Sequence, residues 1–157
     1  MEIIVTSVVA VVGTLLGSAA THYFQRRNRA DAERFERGER LRQERVAAYT
    51  AFGGMLVNLR RAHMDRWFAI HDERTGADPE ALRYETYRLY TDAQEALFRI
   101  QLVTRSPELI DLGRQAIQDV DRMKPDLSRE EFGAARDSSR EAVFRFMEAA
   151  RGHVEVA

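Results

Sequence analysis

The arrangement of hydrophobic and polar positions divides this chain into three stretches. From Ile3 to Phe24 the sequence reads IIVTSVVAVVGTLLGSAATHYF and contains no Asp, Glu, Lys or Arg. About 22 residues rising about 1.5 Å each give roughly 33 Å of helix, enough to cross a hydrocarbon core of about 30 Å. Residues 1–24 are therefore expected to form a single transmembrane anchor. Ser18-Ala19-Ala20 resembles a signal-peptidase site, but only Met1 and Glu2 precede the apolar run, so the basic n-region of a signal peptide is missing. Residues 25–45 are different in kind. They carry eight arginines against five acids, with only Ala30, Ala32, Phe35 and Leu41 as apolar positions. Glu33 with Arg37 and Glu36 with Arg40 stand at i,i+4 in the favourable order. This pattern predicts a solvated helical stalk continuing from the anchor, with Phe35 and Leu41 too sparse for a heptad seam.

From Leu41 onward the pattern is amphipathic with helical period. Leu41, Arg45, Ala48, Phe52, Met55, Leu59 and Ala62 mark one face, and Tyr49, Leu56, His63, Trp67 and Ile70 flank it. Gly53-Gly54 marks either a kink or a close approach of another helix. Helicity is expected to fail by Thr75-Gly76. Asp78-Pro79-Glu80 is a helix start, with Asp as N-cap and Pro at the first helical position. Ser106-Pro107-Glu108 repeats that signal. Lys124-Pro125 ends the segment that follows. Ser128 and Glu131 then form a capping box, and Leu127 with Phe132 supply a hydrophobic staple around it. Phe132, Ala135, Val143, Phe146 and Ala150 give the last helix its buried face, with Gly152 as its expected C-terminal cap. The expected fold is all-α: the anchor, the stalk, and over residues 46–157 an antiparallel bundle of about four helices.

Two patterns in and beside the anchor suggest what it does. Gly13 and Gly17 make a GxxxG pair that Thr21 extends by one turn, a row that lets two membrane helices pack closely. Arg26, Arg27 and Arg29 follow the span at once, and no basic residue precedes it. The positive-inside rule then places the N-terminus outside and the C-terminal domain in the cytoplasm, with the three arginines against anionic head groups.

Charge and composition exclude more than they assign. A formal net charge of −1 gives no general attraction to nucleic acid, and the acids among the stalk arginines oppose it locally. The absence of cysteine removes disulfides, thiolate metal sites and a cysteine nucleophile. His63, Asp65, His71, Asp72 and Glu73 come nearest to a metal set, but their spacing matches neither HExxH nor the Glu-x-x-His of di-iron bundles. Ser138-Ser139 has no base at helical spacing and no glycine elbow. No cofactor, small-molecule substrate or catalytic residue is identified, and no enzymatic activity is expected.

The anchor, the arginine-rich flank and the stretch Arg45-Val-Ala-Ala48-Tyr49-Thr-Ala-Phe52 resemble a group of uncharacterised small single-pass membrane proteins of high-GC Gram-positive bacteria. In these an RxxAYxxF-like segment opens a helical domain. Arginine makes up all but one of the basic residues, in keeping with a GC-rich genome. The resemblance implies no activity. The expected function is a membrane-anchored interaction or scaffold protein whose partners are the lipid bilayer and either a second protein or further copies of itself. The alternative is a membrane-perturbing or pore-forming effector in stress or phage defence.

Overall fold

A computed structural model describes the backbone of residues 2–72, 76 and 78–155, and the side chains of residues 32–72, 76 and 78–154. Four helices follow in order: α1 (Glu2–His71), α2 (Pro79–Val103), α3 (Pro107–Asp121) and α4 (Arg129–Glu155). The fold is all-α, with no strand among the described residues. The chain divides into two compact units, residues 1–40 and 41–157.

The first unit is helical over its described residues, and from residue 32 its side chains are almost all exposed. Phe35 is one of them. Arg37 donates to the Glu33 carbonyl (3.0 Å) and lies 4.0 Å from the Glu33 carboxylate, as the i,i+4 spacing predicts. Among the described residues no helix is long and apolar enough to cross a membrane. The anchor expected over Ile3–Phe24 lies outside the residues whose side chains are described. So do Gly13, Gly17, Thr21, Arg26, Arg27 and Arg29.

The second unit is a four-helix bundle whose direction can be read from its contacts. Going along α1, Phe52 meets Phe146 (ring centroids 4.8 Å), Arg60 meets Ser139, and Trp67 meets Phe132. Ascending numbers in α1 pair with descending numbers in α4, so these two helices are antiparallel. Arg45 near the start of this unit donates to the Val103 carbonyl at the end of α2 (2.9 Å), so α2 also opposes α1. Near Gly113 of α3 lies Phe52, and the carbonyl of Met123, just past α3, lies beside His63, so α3 runs with α1. The order is up-down-up-down, the arrangement that short connections favour.

The caps explain where the helices begin. Asp78 accepts from the Glu80 N–H (2.9 Å) and Ser106 from the Leu109 N–H (3.2 Å), each immediately before a proline. Residues 104–106 leave the helix, so Ser106-Pro107 is a turn between two helices, not a kink within one. Ser128 and Glu131 form the reciprocal box: the Ser128 N–H donates to the Glu131 carboxylate (2.9 Å) and the Glu131 N–H to Ser128 Oγ (3.3 Å). The Ser128 hydroxyl and N–H together hold the Glu131 carboxyl below its usual range. Ser128→Ala removes the side-chain half of this box and should cost about 1 kcal/mol, read as a lower melting temperature. A melting temperature equal to the parent's would show that the Ser128 hydroxyl adds nothing to the folded bundle.

Of the two alternatives at Gly53-Gly54, the close approach is the one found: α1 runs unbroken there, and a Cβ on Gly53 would sit 2.6 Å from Met147 Sδ of α4. Two sequence expectations need correction. Gly152 lies inside α4 and does not end it. Ile70 is exposed, because the packing at that end of α1 turns on Trp67 instead.

One core fills the bundle, formed by residues such as Phe52, Leu56, Leu97, Ile100, Leu109 and Phe146. A second, smaller cluster of Trp67, Met123 and Phe132 closes one end, with Leu127 packed on it as the staple predicts. The RxxAYxxF-like stretch thereby acquires a structural reason. Ala48, Tyr49 and Phe52 are core residues, and Arg45 ties α1 to the last carbonyl of α2.

A candidate docking groove between the first and last helices

Residues 46–59 of α1 contain no charged side chain, in a protein that is 31% charged. Half of this segment faces the core. The other half is uncharged and mostly apolar or small: Val46, Ala47, Thr50, Ala51, Gly54, Val57 and Asn58 are all exposed. Small residues at this spacing leave the helix backbone close to the surface. A Cβ built on Gly54 meets no heavy atom within 4 Å. Across from them α4 presents Val143, Phe144 and Met147, with Phe144 67% exposed. Between the two helices lies an open cavity of about 750 Å³. Met147, drawn in over Gly53, forms part of its floor.

The groove is apolar along its length and basic at one end. Arg60 Nε donates to Ser139 Oγ (3.0 Å), and its terminal nitrogen lies 3.3 Å from the Arg136 carbonyl. The fully buried Ser139 hydroxyl in turn donates a hydrogen bond to the Arg136 carbonyl (2.8 Å), with Met123 Sδ at 3.2 Å. Burial lowers the Arg60 pKa, and the neighbouring Arg136 and Arg140 guanidiniums lower it further, although arginine keeps its proton in water. Arg60 and Arg140 both line the groove. An apolar trough ending in crowded guanidiniums suits an amphipathic helix that carries a carboxylate at the matching end.

The residues singled out from sequence fall elsewhere. Asp65 is exposed and lies 3.6 Å from Arg61. The His71 ring stacks on Trp67 (4.2 Å), and its Nδ1 lies 3.0 Å from the Trp67 carbonyl. His63 is buried with Nδ1 3.1 Å from the Met123 carbonyl. Among the described residues no three His, Cys, Asp or Glu side chains converge on a point that would hold a metal ion. Sequence reasoning did not see the groove. Its sequence signal is the uncharged run Val46–Leu59, which is longer than one buried face requires.

Comparison with known proteins bears on the same segment. Residues 46–154 match the family described as KilB plasmid transfer protein, and the chain belongs to that family. The match opens at Val46, within the RxxAYxxF-like stretch, and covers the bundle. No curated protein and no solved structure matches the chain.

Proposed function

We propose that this member of the KilB plasmid transfer family is a non-enzymatic, membrane-anchored interaction protein that serves plasmid transfer. The bundle recruits a partner helix at the inner face of the membrane. Family membership supports the process. The uncharged span Ile3–Phe24 and the arginines that follow it support a single-pass anchor, with the bundle on the cytoplasmic side. The observation that carries the interaction reading is the groove. It is an exposed, uncharged face on α1 opposite Phe144 of α4, with Arg60 and Arg140 at one end. Its occupant is an amphipathic helix of another protein with a small apolar face and an Asp or Glu placed to meet the guanidiniums. Self-association through Gly13, Gly17 and Thr21 would add valency to that docking.

The test is made in cells that carry the plasmid. Gly54→Leu fills open space, and Val57→Asp places a charge on an exposed position, so both should leave the bundle folded. Each is expected to lower transfer frequency at least about tenfold, the effect of losing about 1.4 kcal/mol of binding. Transfer at the parental rate in the double variant would remove the groove from the mechanism. Release of the protein from washed membranes when residues 1–24 are deleted is the expected outcome for the anchor. Retention would place the membrane contact elsewhere.

A further inference from the structure

A second cavity lies between α1, α2 and the end of α3, away from the groove. It measures about 280 Å³, and its polar lining comes chiefly from His63, Arg66, Arg83, Asp121 and Lys124. Among the described residues four buried side-chain polar atoms lack a hydrogen-bond partner in the protein. Three of them belong to side chains lining this one cavity: His63 Nε2, Arg66 Nε and Arg83 Nε. Each such group is costly to the fold when nothing pairs with it. The three atoms lie beneath the cavity's surface, so an occupant that supplies their missing partners does so as these side chains turn toward it.

The chemistry of the three atoms specifies that occupant. His63 is 4% exposed, and its Nδ1 faces the Met123 carbonyl, which can only accept. Nδ1 therefore carries the proton, and Nε2 presents a lone pair. Burial disfavours the imidazolium, which keeps Nε2 an acceptor. The two arginine Nε–H groups are donors. The site thus offers two donors and one acceptor. Its charge is in surplus on the positive side. Asp121 pairs with Lys124 (2.8 Å) and Glu80 with Arg83 (3.2 Å), while Arg66 has no ion-pair partner among the described residues.

We infer that this cavity binds a phosphate group carrying one proton, either free or as the monoester of a small molecule. Two bare oxygens accept from Arg66 and Arg83, and the P–OH donates to His63 Nε2. A carboxylate or a sulfate satisfies the arginines but has no proton for the histidine at neutral pH. A phosphate near its second pKa of about 6 does. Tyr87 and Tyr90 of α2 border the cavity and would flank the organic part of a monoester. A phosphate bound here touches α1 and α2 at once and stands independent of the groove.

The experiment uses the full-length protein in detergent, titrated near pH 7 with inorganic phosphate, glycerol phosphate or sulfate at matched ionic strength, up to about 10 mM. Binding is followed by calorimetry and by the rise in melting temperature that a ligand selective for the folded state produces. Phosphate or glycerol phosphate is expected to bind at least tenfold more tightly than sulfate. Arg66→Gln and Arg83→Gln should each weaken that binding at least tenfold, and Arg114→Gln, on an exposed ion pair with Asp111, should not. Tighter binding of glycerol phosphate supports the monoester as the ligand, and tighter binding of inorganic phosphate supports the free ion. Equal effects of sulfate and phosphate, or phosphate binding that survives both arginine substitutions, would overturn the site. If an arginine variant does not fold, the comparison of phosphate with sulfate on the parent protein decides.

Discussion

Trp67→Ala should lower the unfolding free energy by about 3–5 kcal/mol, the usual range for removing a buried Trp. Trp67 is the only tryptophan in the chain and is 2% exposed. Its ring stacks on Phe132 of α4 (4.6 Å, 14°) and meets Phe68 edge-on (5.2 Å, 88°). Its Nε1 donates to the Leu127 carbonyl (3.0 Å) in the turn that leads into the capping box. One side chain therefore holds the end of α1, the last turn and the start of α4. The loss corresponds to a fall in melting temperature of roughly 12–20 °C for a unit of this size, at about 4 °C per kcal/mol. Trp67→Phe keeps an aromatic ring on Phe132 and gives up the hydrogen bond, so it should cost about 1 kcal/mol beyond the lost ring area. Equilibrium unfolding of the full-length protein measures both. A loss below about 1 kcal/mol for the Ala variant would mean that this end of the bundle melts separately from the core.

Gly113→Leu should be nearly as damaging, by the opposite route. Gly113 sits where all four helices meet. A Cβ there would lie 2.7 Å from Leu97 Cδ1 of α2, 3.4 Å from Phe52 Cε1 of α1 and 3.6 Å from Phe146 Cε2 of α4. A close-packed interior has no room for a further isobutyl group, and overpacking of this kind costs about 3 kcal/mol at the upper end of its usual range. The expected result is a destabilised bundle with a broadened transition. Gly113→Ala separates volume from backbone. Helix propensity gains up to about 1 kcal/mol, and the clashing Leu97 methyl is the end of a rotatable side chain. That variant should stay within about 1 kcal/mol of the parent. A Leu variant as stable as the parent would show that α3 can move away from the other three helices at no cost.

The helix starts were legible because capping is local. Asp78, Ser106 and Ser128 each accept from an N–H two or three residues ahead, so the residues that make the bond stand together in the sequence. The core faces were legible for a related reason: the 3.6-residue period places Leu89, Ala93, Leu97 and Ile100 on one stripe whatever packs against it. Thr86 broke that pattern. It is buried in α2, where its hydroxyl satisfies itself on the Leu82 carbonyl one turn back (2.7 Å). Gly53 was legible as either a kink or a close approach, and the choice between them depends on Met147 almost a hundred residues later.

By itself, then, the sequence determined an all-α chain with an apolar first segment, an arginine-rich second, and amphipathic helices with marked starts. These properties follow from side-chain period, hydropathy and short-range hydrogen bonds. Only the tertiary structure decided which faces stay uncovered and which polar groups meet. The apolar groove exists because α1 and α4 pack antiparallel over Gly53 and leave the small face of Val46–Leu59 open. The polar cavity exists because His63 and Arg66 of α1 come beside Arg83 of α2 and Lys124 beyond α3. No spacing along the chain encodes either meeting, because both are set by how the helices pack in three dimensions.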